Sequence, residues 1–65
     1  MKIRINGKEQ EFEGGTLLSL VESKELIPDN IVIEYNLSVV EKDKWAEVII
    51  NESDNIEIIS FVGGG

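Results

Sequence analysis

The chain ends Phe61-Val62-Gly63-Gly64-Gly65, and three consecutive glycines are its least ordinary feature. Glycine loses more backbone entropy on ordering than any other residue, so a folded strand gains nothing by ending this way. Gly63 and Gly64 carry no β-carbon, which suits passage through a narrow channel. At full extension three residues reach about 10 Å. A carboxylate on Gly65, with a pKa of about 3.3–3.7, is a group that another enzyme can modify. The plain alternative is a frayed terminus, which glycine-rich ends often are.

Recognition of such a tail needs help from the folded body. Ordering three residues costs about 1–2 kcal/mol each, and glycine returns no side-chain contact. Alternation along the last strand turns Ile56, Ile58 and Val62 toward the core and Ile59 and Phe61 the other way. With Val32 from an earlier strand, Ile59 and Phe61 form an expected docking patch on the open sheet face. The alternatives are a covering loop, self-association or ordinary scattered surface hydrophobes.

Other candidates carry less. Gly14-Gly15-Thr16 precedes a helix pattern, but the glycine spacing and lysine of a phosphate loop are missing, and Glu9, Glu11 and Glu13 repel phosphate. It reads as a turn and a helix cap. A lone Trp45 reads as core rather than as a ligand platform. Asn51-Glu52-Ser53-Asp54 is too short for a calcium loop, which takes about 12 residues with fixed ligand positions. Glu41 and Asp43 read as a solvated face.

Composition narrows the function classes. There is no Cys and no His, so the usual nucleophile, acid–base and soft-metal side chains are absent, and an enzyme is the least favoured reading. Thirteen acidic residues against six basic ones give a net charge of −7, which disfavours nucleic acid and anionic membrane surfaces. The absence of cysteine fits a reducing cytoplasm. The longest apolar runs are three residues, far short of the roughly 20 of a membrane span. Met1 to Ile5 alternates instead of forming the apolar block of a signal peptide.

The elements that would position the tail follow from period and punctuation. Sixty-five residues make one domain with a minimal core, expected over 1–62, followed by a flexible tail at 63–65. Met1, Ile3 and Ile5 alternate with polar residues, and Asn6-Gly7 predicts a tight type I′ turn into a polar edge strand, Lys8 to Phe12. Thr16 is the expected N-cap of a two- to three-turn helix bearing Leu17, Leu20, Val21 and Lys24, with Leu18 widening its apolar stripe. Beyond Pro28, strands are expected over Ile31–Tyr35, Val39–Val40, Glu47–Ile50 and Ile56–Val62. Turns are expected at Asn36–Ser38 and Asn51–Asn55, with Trp45 anchored beneath the charged run Glu41–Lys44. Strands on both sides of one helix make an α+β fold, a sheet covered by a helix on one face.

Several short motifs in this order resemble the ThiS family of sulfur carriers in thiamine biosynthesis. They are Ile3-x-Ile5-Asn6-Gly7, Thr16-Leu17-Leu18-x-Leu20, Tyr35-Asn36 followed by Val39-Val40, and Trp45-Ala46-Glu47. Asp54-x-Ile56-Glu57-Ile58-Ile59 and the terminal Phe61-Val62-Gly63-Gly64-Gly65 complete the set. The resemblance spans essentially the whole chain. One departure is Ser53-Asp54, where such proteins usually carry Gly-Asp.

The resemblance implies the ubiquitin-like β-grasp fold, a mixed sheet of four to five strands with one helix on one face and the last strand parallel to the first at the centre. It implies that a ThiF-like adenylyltransferase spends ATP to convert the Gly65 carboxylate to an acyl-adenylate, after Gly63 and Gly64 have threaded into its site. Sulfur from a persulfide donor protein then gives a thiocarboxylate, which thiazole synthase consumes. The carrier itself binds no cofactor or metal and contributes no catalytic residue. Alternatives that share the fold are the small subunit of molybdopterin synthase, a ubiquitin-like protein modifier, and a non-catalytic interaction module whose glycines are incidental.

Overall fold

The structure, a computed structural model, describes residues 1–61. The N-terminal hairpin forms as its residues predict. Strand β1 (Lys2–Ile5) and strand β2 (Lys8–Glu11) pair antiparallel, Ile5 opposite Lys8, around Asn6 at φ 53° and Gly7 at φ 81°. Both positive angles belong to a type I′ turn, which Asn-Gly adopts with the least strain.

Helix α1 (Leu17–Ser23) starts at Thr16, whose hydroxyl accepts from the Ser19 N–H at 3.1 Å while Ser19 Oγ accepts from the Thr16 N–H at 2.9 Å. This reciprocal box satisfies backbone donors that the first turn otherwise leaves free. Gly15, at φ 135°, makes room for it, since a β-carbon there would meet Ser19 Oγ at 2.5 Å. The helix runs two turns, the short end of the expectation. Lys24 is its C-cap rather than part of its stripe, and Glu25 reverses the chain at φ 56°.

A 3₁₀ turn at Pro28–Asn30 leads into β3 (Ile31–Tyr35), then a turn at Asn36-Leu37 and β4 (Ser38–Val40). The chain closes with β5 (Asn55–Ser60). Sheet order is β2-β1-β5-β3-β4, with β5 parallel to β1 and antiparallel to β3. This is the expected α+β β-grasp, a five-stranded mixed sheet with one α-helix and the last strand central. One face carries Ile3, Ile5, Ile31, Ile33 and Ile56 against Leu17, Leu20 and Val21 of α1. Among the described residues no buried side-chain polar atom lacks a partner, and no helix is long and apolar enough to cross a membrane.

Two expected elements are corrected. Glu47–Ile50 is not a strand of the sheet. Lys42–Glu47 forms a 3₁₀ helix that buries Trp45 completely, its indole Nε1 donating to the Val40 carbonyl at 2.9 Å. The next residues pair with the helix entry instead: Leu17 N–H donates to the Val48 carbonyl at 3.0 Å and Ile50 N–H to the Gly15 carbonyl at 2.9 Å. Val48 thus satisfies a free donor of the first helical turn, and Ile49 forms an isolated β-bridge to Thr16. The second correction is at β5, which ends at Ser60 and leaves Phe61 outside the strand. Its partner β3 begins at Ile31, opposite Ser60, and β1 has already ended at Ile5.

Candidate functional site

Gly63, Gly64 and Gly65, the expected threading and attachment residues, lie outside the described residues, as does Val62. The structure does describe the strand that leads to them. Its first half is held on both sides. Arg4 N–H donates to the Asp54 carbonyl and Asn6 N–H to the Ile56 carbonyl, each at 2.9 Å, while Asn36 N–H donates to the Asn55 carbonyl at 2.8 Å.

A polar knot anchors this start. The Asp54 carboxylate accepts from the Tyr35 hydroxyl, from Asn36 Nδ2 at 3.2 Å and from the Asn51 N–H at 2.7 Å. Partial burial pushes the Asp54 carboxyl up, but these three donors outweigh it and hold the group below the usual carboxylate range. Burial, and then the adjacent Asp54 carboxylate, push the Tyr35 phenol above its ordinary value. Tyr35-Asn36 and Asp54-x-Ile56, two separate stretches of the sequence pattern, are therefore two halves of one contact. Ser53, in place of the usual glycine, sits at φ 70°. That left-handed angle is the reason glycine suits the position.

Beyond Ile56 the support thins. Asn6 extends β1 with its side chain: Oδ1 accepts from the Ile58 N–H at 2.7 Å and Nδ2 donates to the Ile58 carbonyl at 3.2 Å. Among the described residues the last contact is Phe61 N–H to the Asn30 carbonyl at 3.0 Å.

Of the expected docking residues, the structure brings Val32 and Ile59 together. They are register partners across β3 and β5, on the sheet face away from α1. Val32 is half-buried and Ile59 is 48% exposed. Phe61, 49% exposed, follows the last residue of β5 and lines a cavity of about 300 Å³ with Leu26, Ile27 and Ile31. It borders the patch from the end of the sheet instead of continuing the strand.

Two features of this face went unread in the sequence. Val39, 63% exposed, lies opposite Glu34 and so shares the face of Val32 and Ile59. The turn expected over Asn36–Ser38 is instead the two residues Asn36-Leu37, with Ser38 in β4, and that register pairs position 34 with 39. Glu34 and Glu57 are also direct cross-strand partners on this face, half-buried, and neither makes an ion pair among the described residues. Like charges directly opposite one another destabilise a sheet.

Known proteins resemble this chain in sequence and in architecture. The family model described as the ThiS family matches residues 3–65. A sulfur carrier protein ThiS from Bacillus subtilis is 34% identical over 97% of this chain and 98% of its own length. Thiazole synthases from Paramagnetospirillum magneticum and Magnetococcus marinus are 36% identical over the whole of this chain, which spans only 20% of their length. The crystal structure of a thiamine biosynthesis protein (ThiS) from Geobacter metallireducens superposes with a TM-score of 0.85 over all of both chains, at 22% identity, a likeness of fold. With a family match over nearly every residue and a full-length carrier above 30% identity, this chain belongs to the ThiS family of sulfur carrier proteins.

Proposed function

We propose that this chain carries sulfur for thiazole formation in thiamine biosynthesis, with Gly65 as the attachment point and Gly63-Gly64 as the threading segment. The observation that carries the reading is the family match running to residue 65, through the three glycines. The fold supports it, because the strand leading to those glycines is the central one, tied at its start by Asp54, Tyr35 and Asn36.

The chemistry follows from the electrophile. A carboxylate resists attack because it would have to expel oxide. In the proposed sequence one carboxylate oxygen of Gly65 attacks the α-phosphorus of ATP in a ThiF-like adenylyltransferase, and pyrophosphate leaves. A persulfide sulfur from a donor protein then adds to the acyl carbon, and AMP departs with the electron pair of the broken C–O bond. A thiol then attacks the donor's sulfur in the resulting acyl disulfide; the S–S bond to the acyl sulfur breaks, a disulfide forms between thiol and donor, and the thiocarboxylate leaves for thiazole synthase to consume. Relatives in which a segment like this one forms a fifth of a thiazole synthase support that partnership. Val32 and Ile59, with Phe61 and Val39 beside them, supply binding energy that glycine cannot, and Glu34 and Glu57 favour a partner with a basic residue at the rim.

Intact-mass spectrometry after incubation with ATP, the adenylyltransferase and a sulfur source tests the reading: one oxygen of the chain is exchanged for sulfur. Deleting Gly65 abolishes that exchange and leaves the circular dichroism spectrum unchanged, and sulfur loading of the truncated chain would defeat the assignment. Ile59→Asp and Phe61→Asp each weaken adenylyltransferase binding by about tenfold or more, the loss typical of an interface anchor. Unchanged dissociation constants for both remove the docking role.

A further inference from the structure

A second surface lies at the same end of the sheet, on the helix side. The hydrogen-bond parity of β5 exposes it. The backbone groups of Asn55 and Phe61 serve the β3 side, whereas those of Ile56 and Ile58 meet Asn6 on the β1 side. By the same alternation the N–H and C=O of Ser60 face the β1 side, but β1 stops at Ile5 and the chain turns away at Asn6-Gly7. Among the described residues nothing pairs with that edge of Ser60.

The edge opens into a cavity of about 330 Å³. Ile5, Leu26 and Ile58 give it an apolar floor, and Lys8 and Lys24 stand at its exposed rim. Lys24 Nζ donates to Gln10 Oε1 at 3.0 Å, which holds its ammonium over the groove with further donors to spare. Two of the six cations of a chain with net charge −7 thus converge beside an edge of its central strand that is unpaired among the described residues.

We infer that this groove receives an extended acidic segment of the adenylating partner, which continues the sheet where β1 leaves off by pairing with the main chain of Ser60 and setting a carboxylate against Lys8 and Lys24. The inference rests on the proposed function for the identity of the partner. Strand addition uses main-chain bonds for affinity and side-chain pockets for choice of partner, and this site offers both. It is separate from the Val32–Ile59 patch, on the opposite face of the same strand, so the two surfaces grip β5 from both sides just before the tail.

The test uses the full chain and its adenylyltransferase. Hydrogen exchange at the Ser60 amide slows at least about tenfold in the complex, and the double variant Lys8→Glu/Lys24→Glu binds about tenfold more weakly, with the loss shrinking at high salt. Lys42→Glu/Lys44→Glu, an equal change in net charge outside the groove, loses less than about threefold. Equal losses for the two double variants would mean long-range repulsion and overturn the groove. So would pyrophosphate alone shifting the Lys8 and Lys24 resonances as the enzyme does, because a small anion would then be the occupant. Adenylation with unchanged Ser60 exchange overturns the groove and leaves the proposed function standing. Failure of the wild-type chain to be adenylated at all overturns both.

Discussion

The two ends of β5 are built differently. At Asn55–Ile56 the strand is paired on both sides and its preceding turn is bolted by the Asp54 knot. At Ser60–Phe61, among the described residues, it is paired on one side only, and the final tie is a single N–H to the Asn30 carbonyl. Three residues, Glu57 to Ile59, separate these conditions. The lesson is mechanical: if the chain reacts beyond β5 as proposed, it needs a firm base for partners to read and a loosely held strand end for them to take. Grading hydrogen bonds along one central strand provides both without a hinge.

The sharpest way to break this contrast is to cut the same side chain at two points along the strand. Ile56 is fully buried between β1, β3 and the helix, so Ile56→Ala lowers unfolding free energy by about 2–5 kcal/mol, a large share of what so small a domain possesses. Ile59→Ala, half-exposed on the open face, lowers it by less than about 1 kcal/mol. Urea titrations of the two variants measure the difference. Comparable losses would mean that the open face is part of the core and not free for a partner.

The base can be loosened by acid, with a definite sign. Asp54 is depressed in the folded chain below its unfolded pKa of about 3.9, so the unfolded state binds more protons in that window. Its contribution to stability is whole above about pH 4 and is lost as pH falls through the folded value. Tyr35 is raised, so its contribution is whole below about pH 10 and is lost as pH climbs through the folded value. Asp54→Asn, which keeps the shape and removes the charge, costs about 1.5–3 kcal/mol at neutral pH and flattens the acid limb of the stability curve. A stability profile between pH 2 and pH 7 that keeps its slope in the variant would assign acid sensitivity to other carboxylates.

How much of this was legible in advance depended on whether the controlling interaction is local. The Asn6-Gly7 turn, the Thr16 cap and the alternation of Ile31 to Tyr35 are short-range effects, and each stands where its residues place it. The segment Glu47–Ile50 has strand-like residues, but its hydrogen bonds go to Gly15 and Leu17, more than 30 positions away, and the demand of Trp45 for burial turns the chain before it. No local pattern contains that competition. The parallel placement of β5 beside β1 was likewise available only through family resemblance, because pairing between residues 5 and 56 leaves no trace in periodicity. At the candidate site, Ile59 and Val32 were readable from alternation. The clamp of Asn6 on Ile58 was not, since a turn residue already had a sufficient reason to be there.

The smallest effect expected is a gain. Ser53 holds φ 70° where the family pattern has glycine, and a non-glycine residue in that region carries about 1–2 kcal/mol of strain. Glycine removes the strain and loses about 0.5–1 kcal/mol through the greater freedom of its unfolded chain, so Ser53→Gly gains about 0.5–1 kcal/mol. The bond from the residue 53 N–H to the Lys2 carbonyl, 2.7 Å, is a backbone bond and survives the change. Amide exchange then separates the two ends of the strand. Protection at the Asn36 N–H, bonded to Asn55, rises with global stability, whereas the Phe61 N–H opens by local fraying and stays as it was. A rise at both positions would mean that β5 opens as one unit, and the graded strand would lose its meaning.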